Sequence, residues 1–327
     1  MIFLYRITYF FFILSAVFVS LCCSKTLWAS EEKSLLVFHS GLEQTDNAFN
    51  ALLALELQNR IPSHSLKTFN VNELSQIQLK KWLENSNNCV LTIGLNSLEK
   101  ILATRTKIPV FSTLVSQTNL DNLTDIYRQL GNPVTGIYEE QSFKRQLLLS
   151  KSIREDLKHV TVILGRKTRY MLNDYKKISL EQSINLSFNI LKLQESPQRI
   201  FSRLKNNNGF LLTLNDNRHY SEQNLPALLV SSYKKQIPII GSKISDADST
   251  ALASIYTPFD SLARESAIAM QNICRDDVIP KAQYNRQYKV RINQQIAKHL
   301  GYEYLDETEL EKAVIVLEQN KPDRNKL

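Results

Sequence analysis

Two α/β lobes in series, each a parallel sheet flanked by helices, are what the sequence predicts, and three observations predict them. Strand-length apolar runs alternate with helix-length amphipathic segments, the pattern of strands joined by helical crossovers. That alternation breaks at Asn132, Pro133 and Gly136, then restarts at "KHVTVILGRKT" much as it began at "KSLLVFHSG". Finally, 327 residues exceed the roughly 250 to 300 that one core usually organises.

The first thirty residues stand apart. "MIFLYRITYFFFILSAVFVSLCCSKTLWAS" carries one basic residue, Arg6, then no charge until Lys25, then small residues before acidic Glu31. This is the grammar of a secretory leader, with cleavage expected after about residue 29. The uncharged run from Ile7 to Ser24 is also near the length of a membrane span, so an uncleaved anchor, or a lipid on Cys22 or Cys23, are the alternatives.

Beyond the leader, the strand candidates are Leu35 to Phe38, Val90 to Ile93, Ile108 to Phe111, Val160 to Leu164, Phe210 to Leu214, Ile237 to Ile240 and Ala251 to Tyr256. Helices are expected between them. Asp46 to Gln58 is one, and Ser97 to Arg105, with Leu98, Ile101 and Leu102 on one face, is another. Asn96 followed three residues later by Glu99 looks like a relative of the capping box at its start. The last seven residues, "KPDRNKL", read as a polar tail.

Composition narrows the function classes. Hydrophobic residues make up 43% and charged residues 22%, an ordinary globular balance. The net charge of +8 is spread one or two residues at a time, without a basic stripe flanked by aromatics, so no nucleic-acid partner is expected. The five histidines show no metal-ligand spacing, and no HExxH, GxSxG, GxGxxG or GxxxxGK[ST] occurs, so neither an enzyme nor a bound cofactor is expected. His39 beside Ser40 reads as a rim residue. Cys89 and Cys274 form no CxxC pair, and two buried free thiols are the expectation for them.

Ligands of open α/β sheets bind outside the carboxyl ends of the strands. Here those ends carry small polar groups: Ser40 and Gly41, Gly94 to Ser97, Ser116 and Gln117, Asn215 to Asn217, and Ser242. Two lobes facing each other would bring them to one cleft. Gly94, Asn96 and Ser97 lie between a strand and a helix N-terminus, where free N–H groups suit a carboxylate.

Four stretches carry a resemblance: "VTGIYEEQSFKRQLLLSKSI", "IPVFSTLVS", "LTLNDNRHYSEQNLPALLVSSYKKQIPIIG", and "VRINQQIAKHLGY" with "LDETEL". In order and spacing the chain resembles, from about Leu35 to Leu310, the ABC transporter substrate-binding proteins of the tryptophan/tyrosine type. The resemblance implies the type I periplasmic-binding-protein fold, two Rossmann-like lobes joined by hinge strands near Thr135 to Tyr138 and Ser254 to Thr257. It divides the chain into a leader (1–29), an N-terminal lobe (30–136 and 259–284), a C-terminal lobe (137–258 and 285–308) and a C-terminal helix and tail (309–327).

The implied function is an exported, periplasmic, monomeric protein that captures a small amino-acid-like ligand and delivers it to an ABC permease. The alternative is an exported sensing or interaction module that partners a membrane sensor or envelope complex. Asp216 matches the aspartate of the family's second-lobe loop and, with Asn217 beside it, is the expected partner of a ligand ammonium group. Two departures are visible: Gln117 stands where the family often has an acidic residue, and the loop around Asp216 lacks the usual preceding proline.

Overall fold

The computed structural model describes residues 33–41, 44–192, 195, 197–205, 209–215 and 224–319. The expected leader and polar tail lie outside them, as do Asp216 and Asn217. Among the described residues no helix is long and apolar enough to cross a membrane.

The first lobe is a five-stranded sheet of order β2-β1-β3-β4-β5, parallel throughout. Its strands are β1 (Ser34–His39), β2 (Ser65–Asn70), β3 (Cys89–Ile93), β4 (Val110–Val115) and β5 (Val134–Tyr138). The connecting helices are α1 (Gln44–Arg60), α2 (Gln76–Trp82), α3 (Leu95–Leu102) and α4 (Gln117–Gln129). β1 and β3, near the sheet centre, are mostly apolar, with Leu35 to Phe38 and Cys89 to Leu91 as continuous runs, because both faces are covered.

The second lobe holds a six-stranded sheet of order β11-β10-β9-β8-β6-β7. It contains β6 (His159–Leu164), β7 (Asn185–Ile190), β8 (Phe210–Leu212), β9 (Ile239–Gly241), β10 (Ala253–Tyr256) and β11 (Lys289–Ile292). Only β11 runs antiparallel, against β10. Its helices in chain order are α5 (Phe143–Ile153), α6 (Leu172–Glu181), α7 (Pro197–Arg203), α8 (Leu225–Lys235) and α9 (Ile244–Ser249).

Three further helices follow: α10 (Phe259–Asp276), α11 (Gln294–Leu300) and α12 (Glu307–Gln319). α10 returns to the first lobe. Ala263 and Ala267 let it approach closely, and Leu262, Met270 and Ile273 join the core of Leu35, Phe49, Leu53 and Leu91. α12 instead closes the second lobe, where Leu310 and Val314 pack into the core of Leu147, Leu149, Phe210 and Val290.

The chain passes between the lobes after β5, after β10 and again through residues 277–288. These passages are tied together. Tyr138 N donates to Gln283 O at 3.0 Å and Gln283 N to Gly136 O at 3.1 Å, while Gln141 Nε2 donates to Thr257 Oγ1 at 2.7 Å.

Several expectations need correction. β2, β7 and β11 were not anticipated: β2 and β7 are edge strands without a continuous apolar face, and β11 is four residues long. β5 was expected only as a hinge strand, and it is also the edge strand of the first sheet. α3 begins at Leu95, and Gly94 is its N-cap, so Asn96 sits inside the first turn instead of capping it. β10 starts at Ala253, not Ala251, and the strand expected at Ile108 runs from Val110 to Val115. Cys89 and Cys274 are not free thiols but a disulfide, because α10 brings the second beside the first strand residue of β3.

Candidate functional site

Parallel strands deliver their carboxyl ends to one rim, and the two rims face each other across a cavity of about 480 Å³. On the first-lobe side it is bounded by His39, Ser40 and Gly41 at the end of β1, by Ile93 and Gly94 at the end of β3, and by Leu114. Leu114 has φ 55 where β4 slips register against β5, a bulge that turns the strand locally. The opposite side is Lys243, Ile244 and Ser245 at the start of α9, with Tyr256 and Thr257 at the end of β10. Glu139 stands on the first crossover, and Phe259 and Leu262 come from the opening turn of α10.

The first-lobe wall offers mainly backbone. Gly94 sits at φ 81 and ψ 162, and no side chain caps α3. The N–H groups of Leu95, Asn96 and Ser97 therefore start a helix outside its internal ladder, with the positive end of the dipole toward Gly94. The Ser97 hydroxyl is taken up by Ile93 O at 2.6 Å and Gly94 O at 2.9 Å. Ser40 and Gly41 are held from behind: Asn72 Nδ2 donates to Ser40 O, and Lys100 Nζ donates to Asn72 Oδ1 at 2.6 Å.

The crossover and second-lobe wall carry full charges. Lys243 Nζ lies 3.6 Å from Glu139 Oε1 and 3.4 Å from Asn215 Oδ1. Burial works against its ammonium, but the carboxylates of Glu139, Asp246 and Glu140 outweigh burial and hold its pKa above the ordinary value. The loop bearing it is fixed by Asp246, whose Oδ2 accepts from Ser242 N at 2.9 Å, Lys243 N at 3.2 Å and Thr213 Oγ1 at 3.0 Å.

Behind Glu139, Glu140 is buried between the lobes. Its Oε1 accepts from Gln117 N at 3.0 Å, at the N-terminus of α4, and its Oε2 from Asn215 Nδ2 at 3.3 Å. Asn215 also donates to Glu139 Oε2 at 3.1 Å. Desolvation, then the neighbouring Glu139 charge, push the Glu140 pKa up to about 7.

Of the residues expected from sequence, Ser40, Gly41 and Gly94 line the cavity. Asn96 is exposed in the first turn of α3, and Ser97 is fully buried behind it. Ser116, Gln117 and Ser242 do not line it. Ser116 pairs with Thr118 Oγ1 at 3.2 Å, Gln117 accepts from the Tyr284 hydroxyl, and Ser242 O accepts from Gln141 N at 3.2 Å. The residues that sequence reasoning missed are chiefly Glu139 and Lys243. A signal for the first existed in the Glu139-Glu140 pair immediately after the crossover strand; Leu114 had none.

Comparison with known proteins gives a consistent result. The family model described as ABC transporter substrate binding protein matches residues 36–314. No curated protein matches the chain. Among solved structures, a ligand-free, open substrate binding protein with adhesive properties from Clostridium difficile superposes with a TM-score of 0.64 at 15% identity, covering 82% of this chain and 95% of that one. A Streptococcus pneumonia ABC domain in complex with L-Trp gives 0.54 at 15% identity, covering 82% and 95%. A conserved domain protein from Vibrio cholerae gives 0.54 at 17%, covering 86% and 98%.

Proposed function

The chain belongs to the ABC transporter substrate binding protein family, and from that premise we propose that it captures a small zwitterionic, amino-acid-like solute between its lobes, outside the cytoplasm, and passes it to an ABC permease. The observation that carries this reading is the division of groups around the cavity. Free first-turn amides of α3 and the Lys243 ammonium suit a carboxylate; Glu139 suits an ammonium; Ile93, Leu114, Tyr256, Phe259 and Leu262 suit an apolar side chain. Asp216, directly after Asn215, is proposed as a second carboxylate toward the ammonium. The L-Trp complex of the streptococcal protein supports the class, with aromatic amino acids as first candidates.

The work is capture without chemistry: the ligand leaves as it entered. Closure by hinge motion about the crossovers would exclude water and strengthen each charge contact. Thermal unfolding with each of the common amino acids tests the reading, since a ligand that binds only the native state raises its stability by mass action. A shift with L-tryptophan or L-tyrosine, and recovery of that ligand unchanged, is the expected result. If no zwitterion shifts the transition while an uncharged solute does, the assignment of Glu139 and Lys243 fails.

The adhesive properties of the Clostridium difficile protein favour one second reading, an exported interaction module on the same fold. Surface binding that persists at saturating ligand would mark it.

A further inference from the structure

Cys89 opens β3 and Cys274 lies in the last turn of α10, 185 positions later, and the disulfide between them has its Cα atoms 5.8 Å apart. His64, in the turn before β2, completes a cluster: the two Sγ atoms and a ring nitrogen all lie within 4.8 Å of one another. One side of that ring is accounted for, with Nδ1 3.1 Å from Ser63 Oγ. Its Nε2 is closed off from solvent and has no hydrogen-bond partner among the described residues. A buried nitrogen left in that condition costs free energy unless something else takes its lone pair.

The surroundings favour a neutral ring. Burial first, then the positive charges of Lys33 and Arg275, hold the His64 pKa below its ordinary value. The same cations would favour thiolates over thiols if the disulfide were opened. Two thiolates and one neutral imidazole within a few ångströms are a donor set for a borderline metal ion. Tetrahedral zinc, with bonds of ~2.3 Å to sulfur and ~2.1 Å to nitrogen, sets its donors less than ~4 Å apart, within the reach of this cluster after side-chain rotation.

We propose that this corner of the first lobe is a redox-gated zinc site, closed as a disulfide and opened by reduction to bind one Zn²⁺ through Cys89, Cys274 and His64 Nε2. A dithiol reductant supplies two electrons and two protons to the sulfur–sulfur bond and departs as its own disulfide. Zn²⁺ then displaces the two thiol protons. The resulting centre of one dication, two thiolates and one neutral imidazole carries no net charge, which suits a half-buried place beside Lys33 and Arg275. Water would fill the fourth position. In either state the returning helix α10 stays tied to the sheet it completes, by a covalent bond or by the metal.

The test uses purified protein treated with a phosphine reductant under argon and then titrated with Zn²⁺, and with Co²⁺ as an optical probe. One metal per chain, two protons released per Zn²⁺, a thiolate-to-cobalt charge-transfer band and no uptake by the oxidised protein are expected. His64→Ala, which keeps both cysteines and therefore the oxidised fold, is expected to weaken Zn²⁺ binding at least tenfold. Reduced protein that takes up no Co²⁺, that unfolds on reduction and is not refolded by Zn²⁺, or that binds equally well as His64→Ala would overturn the proposal and leave the pair a structural tie.

Discussion

On the first-lobe wall the cleft meets Ser40, Gly41 and Gly94, and its donors are the first-turn amides of α3 that follow Gly94, whereas the crossover and second-lobe wall bring the charges of Glu139 and Lys243. Both walls are made of the same βα units. The difference lies in what must be held. A strand feeding a helix supplies oriented N–H donors through its own geometry, so Gly94 needs no supporting side chain. A half-buried ammonium or carboxylate has to be compensated, and around Lys243 and Glu139 the chain spends Asn215, Asp246, Glu140 and Thr213 to do so.

The lobes also differ in how they are closed. The second is completed by α12, with the Arg145–Glu318 pair at 2.9 Å securing it to α5. The first is completed by a helix that arrives only after β6 to β10 of the second lobe, and there a disulfide secures it. The largest effect we expect follows from this contrast. Cys274→Ser should lower unfolding stability by about 2 to 5 kcal/mol, since the bridge closes a long loop. Hydrogen exchange should place the loss in β1, β3, α1 and α10. Equal loss of protection in β6 and β10 would mean the two lobes unfold as one unit and would break the comparison.

Next is the charge buried at the junction itself. An unfolded Glu140 ionises near 4.5 and the folded one near 7. Between those values the unfolded chain holds fewer protons, so this group's contribution is fully present below about 4.5 and is lost as pH rises through about 7. Glu140→Gln should remove that dependence. It should be more stable than the parent at pH 8 by on the order of 2 to 3 kcal/mol and not at pH 4, read from urea unfolding. Parallel pH profiles for the two proteins would show that Glu140 is ionised at no cost and that charge at the junction is already well compensated.

How much of this was legible in sequence divides along the same line. The central strands announce themselves because both faces are buried: Leu35 to Phe38 is an unbroken apolar run, and Val160 to Leu164 is interrupted only by the buried Thr161. β2 and β7 do not, since an edge strand such as "SLKTFN" need satisfy only one neighbour and one face. Ser40, Gly41 and Gly94, which line the cavity, are legible in sequence because their signal is local, a strand end followed by a helix start. Glu139 and Lys243 lie 104 positions apart in sequence, and their pairing exists only once both lobes stand on the crossover. His64, Cys89 and Cys274 are still further from any recognisable spacing; α10 brings them together.

The two walls can be separated directly in binding. With L-tryptophan as the probe, Lys243→Met and Glu139→Gln should each weaken affinity about 30-fold, near 2 kcal/mol, because each leaves a buried partner charge behind. Ser40→Ala should stay within about threefold. Calorimetry that found Ser40→Ala as damaging as either charge change would reverse the division, making the first-lobe wall a site of side-chain recognition.

The smallest expected effect concerns Gly94 and sharpens what the backbone wall is. At φ 81 and ψ 162 the residue occupies a region nearly closed to side-chain-bearing residues, yet a Cβ built there meets no atom within 4 Å. Crowding and strain are thus separated at this one position. Gly94→Ala should cost about 1 to 2 kcal/mol of stability through strain alone. If the chain relieves that strain by rotating the turn, the amides of Leu95 and Asn96 swing with it, and L-tryptophan affinity should fall while Lys243 and Glu139 remain untouched. A stability within about 0.5 kcal/mol of the parent, with affinity unchanged, would show that the turn tolerates another backbone path. The first-lobe donors would then owe their direction to α3 and its packing through Leu98, Ile101 and Leu102, and not to the glycine that precedes it.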